Sequence, residues 1–298
     1  MLTLPRLGFG CSPLGGVFGP VDEAESIRAV HRALELGITY FDTAPFYGLG
    51  RSETVLGQAL AGVPRERYLV GSKVGRWGEA AFDFAAPRVV AGLEASLERL
   101  GLDRLDLVVV HDVEFGDLDR IARETLPALA KARDAGLVRW IGASGLPLVA
   151  LRKLADHAPL DFVLSYAHYT LADTTLLADL PSYAARAIQV INASPLGMGL
   201  LTPEGPPGWH PAPAGLVQAC GRAVAVAKKR GADPAEVALG FALAAPGVAS
   251  TLVGMHTVAQ VERNVAMLRK PRDLATEAAM RQAIGKWQGK SWPSGTWL

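Results

Sequence analysis

Four side chains that can hold or transfer a proton lie at or just beyond the ends of short apolar segments of the sequence. Asp42 follows one such segment, Tyr47 lies five residues further along, and Lys73 and His111 each follow another. An ammonium group beside a phenol favours the phenolate and so lowers the phenol pKa, and a carboxylate can hold that ammonium in place. An imidazole can bind and orient a substrate oxygen. Together these four side chains could form an acid/base site in which Tyr47 exchanges a proton with the substrate.

Each of the four residues, taken alone, also has a structural explanation. An aspartate after a strand often caps the next helix. A tyrosine commonly packs with its hydroxyl group in solvent, a lysine is commonly solvated, and a histidine is more often a hydrogen-bonded core residue than a catalyst. Catalysis therefore requires a fold that brings the four positions to one place.

The apolar segments are rich in β-branched residues and alternate with segments of helical spacing, which predicts parallel strands covered by helices. The predicted strands are residues 7–9, 38–41, 68–70, 105–110, 138–141, 162–164, 187–191 and 251–253. Eight such units in 298 residues predict a single (β/α)₈ TIM barrel over residues 1–298 rather than an open sheet. In a barrel the loops after the strands meet at one end, so all four side chains would share one mouth.

Apolar spacing predicts helices around residues 27–34, 90–100 and 258–268. Thr257 and Gln260 form a predicted capping box at the start of the last of these. Residues 117–135 are also predicted to be helical, with a bend at Pro127. The Pro- and Gly-rich stretch 202–213 predicts a long loop after the seventh strand.

The overall charge and cysteine content exclude several classes of protein. A formal net charge of +1 argues against nucleic acid or an anionic membrane as the partner. The two cysteines lack metal-site or disulfide spacing, so no metal is expected. No apolar run is long enough to cross a membrane and no signal peptide is visible, so a cytoplasmic enzyme acting on a small molecule is expected. The sequence favours no particular oligomeric state.

The segment Phe-Asp-Thr-Ala-Pro-Phe-Tyr-Gly at 41–48, with Gly-Ser-Lys at 71–73 and His111, resembles the catalytic region of the aldo-keto reductases. The resemblance implies a TIM barrel, a nicotinamide cofactor bound without a Rossmann fold, and catalytic roles for Asp42, Tyr47, Lys73 and His111. Further segments are similar to the branch of this family that includes L-galactose and L-fucose (D-threo-aldose 1-) dehydrogenases. They are residues 8–20, 111–116, 165–169, 193–202, 205–211 and 292–295.

This resemblance implies oxidation of C1 of an L-galactose- or L-fucose-type sugar to the aldonolactone. Alternatives within the family are a pyridoxal 4-dehydrogenase or a general aldehyde or ketone reductase. A mainly non-enzymatic role, like that of the potassium-channel beta subunits of the same fold, is a further alternative that the four intact positions disfavour.

The resemblance also implies a set of cofactor-binding positions. They are Ser144, Ser165, Ser194, Leu196, Gly199, Gly254, Gln260, Arg263 and Asn264. The sequence departs from the wider family at three of the surrounding positions, with Gly145 in place of Asn, Ser165 in place of Gln, and Ala193 in place of a Tyr that stacks on the nicotinamide.

The choice between NAD and NADP depends on the loop after the eighth strand. The Lys and Arg that grip the 2′-phosphate in NADP-dependent members correspond to Gly254 and Gln260, so NAD is predicted. NADP is the alternative, because Arg263 and His256 could still attract a phosphate.

Several aromatic and histidine side chains in predicted loops could give a sugar a flat apolar face and hydrogen bonds. The substrate-binding candidates are Trp77, His168, Trp209, His210 and Trp292. Each of them could equally be ordinary loop packing.

Overall fold

The computed structural model describes residues 2–296. Eight parallel strands pair in chain order and close into a barrel, because β1 also pairs with β8. The strands are β1 (Leu7–Gly10), β2 (Tyr40–Asp42), β3 (Leu69–Val74), β4 (Leu105–Val110), β5 (Val138–Gly145), β6 (Phe162–Tyr166), β7 (Gln189–Ala193) and β8 (Ser250–Gly254). The predicted (β/α)₈ barrel is confirmed, and all eight predicted strands are present.

Two strands run four residues further than predicted. β3 continues through Lys73, which pairs with Val109, and β5 continues through Ser144, which pairs with Leu164. The apolar signal ends earlier in both segments, but neighbouring strands keep supplying hydrogen-bond partners. Lys73 and Ser144 are therefore parts of strands rather than loop residues.

Helices surround the barrel. They are α1 (Glu23–Glu35), α2 (Arg51–Leu60), α3 (Ala86–Leu100), α4 (Leu118–Arg120), α5 (Leu126–Asp134), α6 (Leu148–His157), α7 (Leu180–Ala185), α8 (Ala214–Lys229), α9 (Pro234–Leu243), α10 (Val258–Ala266) and α11 (Leu274–Ile284). The predicted capping box of α10 is present, with the Gln260 N–H donated to the Thr257 hydroxyl at 3.2 Å. Residues 202–213 form a loop before α8, as predicted. Within residues 2–296, no helix combines the length and apolar content needed to cross a bilayer.

Pro127 is accommodated by a π-helical turn. Residues Ile121–Thr125 form this turn between α4 and α5. Proline has no N–H to donate and its ring clashes with the carbonyl group four residues earlier, so a regular α-helix cannot pass through it. The structure has this wider turn directly before α5, which contains Pro127, instead of a continuous α-helix.

Alternate strand residues fill two apolar layers. On β4, Leu107 and Val109 pack inside the barrel, whereas Val108 and Val110 pack against the surrounding helices. Lys73 is in register with Val109, so it belongs to the inward-facing set at the upper end of β3. Apolar side chains fill the barrel below this position, which makes its mouth the place for polar chemistry.

Two helical glycines provide a test of this packing. A Cβ at Gly57 in α2 would lie 2.8 Å from the carbonyl oxygens of Arg99 and Leu100, whereas one at Gly221 in α8 would meet nothing within 4 Å. We expect Gly57→Ala to lower the free energy of unfolding by about 1–3 kcal/mol through overpacking. Gly221→Ala, the matched control, should raise it by about 0.5–1 kcal/mol through helix propensity. Denaturant titration measures both, and equal effects would contradict the close contact between α2 and the end of α3.

Candidate active site

A buried ion pair joins the ends of β2 and β3. The Lys73 ammonium, 2% exposed, contacts the Asp42 carboxylate and donates to the carbonyl oxygen of Thr43 at 2.7 Å. Tyr40 donates to the other Asp42 oxygen at 3.3 Å. Burial lowers the pKa of Lys73, but the charge of Asp42 and the nearby Tyr47 more than offset this, so the pKa is raised. Lys73 is therefore a cation held inside the barrel mouth.

Tyr47 lies beside this cation. The Lys73 nitrogen is 5.0 Å from the centroid of the Tyr47 ring. Burial raises the pKa of Tyr47, the charge of Lys73 lowers it, and the charges of Asp42 and Asp112 raise it again, so the net direction is upward. Lys73 lowers the pKa of Tyr47, as the sequence predicts, but burial raises this pKa by more. In the free protein Tyr47 is a neutral phenol at neutral pH.

The position of Tyr47 depends on a close approach between two loops. A Cβ at Gly15 would lie 2.5 Å from the carbonyl oxygen of Tyr47, and one at Gly48, where φ is +63°, would lie 2.3 Å from that of Gly15. The turn that carries Tyr47 thus rests on the loop after β1, and only glycine fits on either side.

His111 completes the group of four side chains. Its ring stands edge-on to the Tyr47 ring, with centroids 5.9 Å apart and planes at 88°. Burial is the main cause that lowers the pKa of His111 to about 3. The imidazole is therefore neutral over the whole physiological range and can exchange a hydrogen bond with a substrate oxygen without carrying charge. The structure thus brings Asp42, Tyr47, Lys73 and His111 to one place.

Three further side chains at this mouth were not singled out from the sequence. Asp112 accepts from Arg76 at 2.6 Å, and the Arg76 guanidinium lies 3.8 Å from the centroid of the Phe46 ring. The Asp112 backbone has φ +52°, an uncommon left-handed conformation for a non-glycine residue. Asp112 directly follows His111, and Arg76 comes three residues after Lys73, so both could have been found by following the strands one step into their loops.

Ser144 and Ser165 lie at the neighbouring ends of β5 and β6. The Ser144 hydroxyl accepts from the Asp112 N–H at 3.3 Å. The Ser165 hydroxyl and the Asn192 side-chain oxygen on β7 are buried without a hydrogen-bond partner, and these two residues are opposite each other in register. Unpartnered buried polar atoms are costly, and a bound ligand can supply the missing partner. This site suits a small planar amide such as the carboxamide of a nicotinamide.

The loop after β7 is tightly folded around the next three candidates. Ser194 has φ +54°, and Gly199 has φ +103° with its Cβ position 2.7 Å from the carbonyl oxygen of Gly205. Leu196 is half-buried against the core. Because Gly199 has no side chain, the backbone here can approach a ligand closely.

The remaining cofactor candidates surround the start of α10. Gly254 ends β8 and is exposed, Arg263 is exposed, and Asn264 is buried. The Gln260 side-chain oxygen accepts from the N–H groups of His256 and Thr257 at 2.9 and 3.3 Å, so it caps the helix.

A carboxylate from α1 also reaches this helix start. Glu25 accepts the N–H of Val258 at 2.9 Å. That bond, followed by its bond to Arg28, lowers the pKa of Glu25, so a negative charge lies at the N-terminus of α10. The sequence shows no sign of this contact, because 233 positions separate the two residues.

The substrate candidates fall into separate groups. Trp77 packs against α3, where a Cβ at Gly92 would meet its ring at 1.9 Å. Trp209 packs on Phe18 with ring centroids 5.6 Å apart and stacks on His210. His168 and Trp292 line a cavity of about 670 Å³ together with the loop after β5. Trp77 thus has the packing role, and the other four lie in loops after β6 and β7 and in the C-terminal segment.

Comparison with known proteins identifies the family to which the chain belongs. The family model described as "Aldo/keto reductase family" matches residues 6–282. This chain belongs to the aldo/keto reductase family. It is 45% identical to an L-galactose dehydrogenase from Arabidopsis thaliana over 99% of this chain and 95% of that protein. It is 31% identical to a D-threo-aldose 1-dehydrogenase from a Pseudomonas species over 95% of both.

A solved structure supports the same assignment. An aldo-keto reductase from Bacillus halodurans in its holo form superposes with a TM-score of 0.80 at 25% identity, covering 99% of this chain and 96% of that one. The chain is an oxidoreductase that acts on a CH–OH group, and members of this family use nicotinamide cofactors.

The balance of effects on Tyr47 can be tested by removing the cation. In Lys73→Met the buried Asp42 carboxyl will take up a proton, because burial already raises its pKa. The loss of the nearby ammonium should then raise the pKa of Tyr47 further. Tyrosinate absorbance is titrated against pH for wild type and Lys73→Met, each minus its own Tyr47→Phe derivative. A pKa of Tyr47 that fell or stayed constant would contradict the proposed coupling.

Proposed function

We propose that this aldo/keto reductase oxidises C1 of an L-galactose- or L-fucose-type aldopyranose to the aldonolactone with NAD. The single observation that carries the proposal is Tyr47 lying against the buried Lys73–Asp42 pair, edge-on to a neutral His111. The names of the two sugar dehydrogenases to which the chain is similar support this choice of substrate.

In the proposed reaction the proton and the hydride leave the sugar separately. Tyr47 receives the proton of the anomeric hydroxyl group, and a bound nicotinamide would accept the hydride from C1. Lys73 stabilises the phenolate form that Tyr47 needs as a base, and Asp42 keeps Lys73 in position. His111 binds the C1 oxygen as a neutral partner. Because the free Tyr47 is protonated at neutral pH, oxidation should accelerate as the pH rises, whereas carbonyl reduction uses the phenol directly as an acid.

The surroundings of these four residues suit a polyhydroxylated substrate. The Arg76–Asp112 pair offers both a donor and an acceptor for sugar hydroxyl groups, and the Phe46 ring offers an apolar face. Ser144, Ser165 and the loop carrying Ser194, Leu196 and Gly199 would hold the nicotinamide and pyrophosphate of the cofactor.

The preference for NAD is supported by the charge at the start of α10. In this proposal the adenosine ribose lies at this helix start, near Gly254, Gln260, Arg263 and Asn264. The Glu25 carboxylate already accepts one N–H there and would repel the 2′-phosphate of NADP. The 2′-hydroxyl of NAD carries no charge and meets no such repulsion.

Tyr47→Phe tests the proton-transfer role. We expect a loss of several orders of magnitude in kcat, on the order of 10³-fold or more, because general acid/base catalysis contributes on this scale. The Kd of NAD, measured by fluorescence titration, should change little. Tyr183→Phe in α7 is the matched control, because the Tyr183 hydroxyl is buried without a partner and its removal should leave kcat intact. Activity retained in Tyr47→Phe would overturn the assignment.

Glu25→Ala tests the cofactor preference. Removing this carboxylate frees the Val258 N–H and releases Arg28, so the ratio of NADP to NAD in kcat/KM should rise by about tenfold. The same ratio of the two Kd values should move in parallel. Glu35→Ala, at the exposed end of the same helix, is the control and should not change either ratio. An unchanged preference in Glu25→Ala would show that Glu25 does not select against NADP.

A further inference from the structure

Glu114 is a fully buried acid that the proposed reaction does not use. One of its carboxyl oxygens, Oε1, accepts from the backbone N–H of Leu146 at 3.1 Å, from the Ser294 hydroxyl at 2.8 Å and from the Tyr166 hydroxyl at 3.4 Å. These partners come from the loop after β5, the C-terminal segment and the end of β6. A single carboxyl group therefore joins parts of the chain that are up to 180 positions apart.

Two glycines allow Glu114 to occupy this place. A Cβ at Gly145 would lie 2.7 Å from Oε2 of Glu114, and one at Gly295 would lie 2.3 Å from the Glu114 carbonyl oxygen. That carbonyl oxygen also accepts the N–H of Thr296 at 3.4 Å. The C-terminal segment, defined as residues 291–296, is thus held to Glu114 by both side-chain and backbone contacts.

Four separate segments of the sequence meet here. They are the segments that contain Glu114, Gly145, Tyr166 and Ser294. None of these four side chains or positions has a role in the acid/base site itself. All of them contact Glu114 or contain it.

The C-terminal segment also forms one wall of the cavity of about 670 Å³. Ser291 and Trp292 line this cavity together with His168 and the residues that follow Leu146. The Trp292 ring also stands edge-on to the His210 ring, with centroids 4.9 Å apart. A displacement of the segment would therefore remove an aromatic surface and a hydroxyl group from the wall.

We propose that Glu114 is a positioning residue that docks the C-terminal segment onto the ends of β4, β5 and β6 and so completes a wall that binds the sugar. The inference rests on the proposed function for its substrate, an aldopyranose. Glu114 acts through the segment that it holds, not by touching the reacting atoms.

The charge state of Glu114 supports this arrangement. Burial, and then the charge of Asp112, raise the pKa of Glu114 to about 7, while the bonds from Leu146 and Ser294 lower it. The groups that face it are Asp112, which is paired with Arg76, and the uncharged Tyr166, Leu146 N–H and Ser294. A carboxyl whose pKa is raised in the docked state favours docking at low pH, and that contribution is lost as the pH rises through the folded value.

Hydrogen–deuterium exchange of residues 291–296 tests the docking without any substrate. We expect exchange, corrected for its intrinsic pH dependence, to increase about fivefold in Ser294→Ala, which loses one hydrogen bond, and more in Glu114→Ala. Glu94→Ala, an exposed glutamate on α3, is the matched control and should behave as wild type. Ser294→Ala keeps the test valid if Glu114→Ala fails to fold. Unchanged exchange in Ser294→Ala would overturn the docking role.

A charge-neutral variant tests the ionisation. Glu114→Gln keeps an acceptor oxygen for Ser294 but cannot ionise. Exchange of the segment should increase in wild type as the pH rises from about 4.5 to about 7, level off above that, and stay constant in Glu114→Gln. The same pH response in both proteins would contradict the part played by ionisation.

Steady-state kinetics test the effect on the sugar. In Ser294→Ala and Glu114→Ala the KM for the aldopyranose should rise by about fivefold or more, with kcat and the Kd of NAD little changed. If exchange increases but this KM does not, the wall does not bind the sugar and the inference fails at that step. If wild type oxidises no aldopyranose, the proposed function fails, whereas the exchange result still decides whether Glu114 docks the segment.

Discussion

An ammonium group buried among apolar strands is costly unless a counter-charge and further hydrogen-bond partners come with it. Lys73 has both, from Asp42 and from the carbonyl oxygen of Thr43, because β2 and β3 are neighbouring parallel strands that end at the same edge of the barrel. This cation lowers the pKa of both Tyr47 and His111, although burial is the larger effect on each of them.

The two largest effects on the pKa of Tyr47 oppose each other. Burial makes the phenolate harder to form, and Lys73 makes it easier, with burial the larger effect in the free protein. A phenol that stays protonated at neutral pH is a ready proton donor for carbonyl reduction. As a base for alcohol oxidation it depends on Lys73 and on higher pH. In the proposed mechanism one arrangement of side chains would therefore serve both directions of the reaction, and the pH would shift the balance between them.

The sequence predicted the barrel because its strands are short apolar segments whose hydrophobicity and spacing are local properties. The four residues at the mouth could be predicted for the same reason, since each lies at or just after the end of such a segment. The upper ends of β3 and β5 were missed because pairing with a neighbouring strand, rather than composition, extends them through Lys73 and Ser144.

Contacts between distant parts of the chain could not be predicted from local patterns. Glu25 on α1 reaches the start of α10, and Glu114 meets Ser294 only because the closed barrel returns the end of the chain to its mouth. The upward shift in the pKa of Tyr47 could not be predicted from local patterns either, because its largest cause is burial by the whole fold. For Trp77 the local pattern suggested contact with a sugar, but the side chain packs on α3 instead.

In the proposed reaction a hydride moves directly from C1 of the sugar to the cofactor while Tyr47 takes the hydroxyl proton. The most direct measurement oxidises an aldopyranose carrying deuterium at C1 with NAD and locates the deuterium by NMR. We expect the label at C4 of the reduced nicotinamide and the aldonolactone as the sugar product. Deuterium that stayed in the sugar product or was released to water would contradict the proposed reaction.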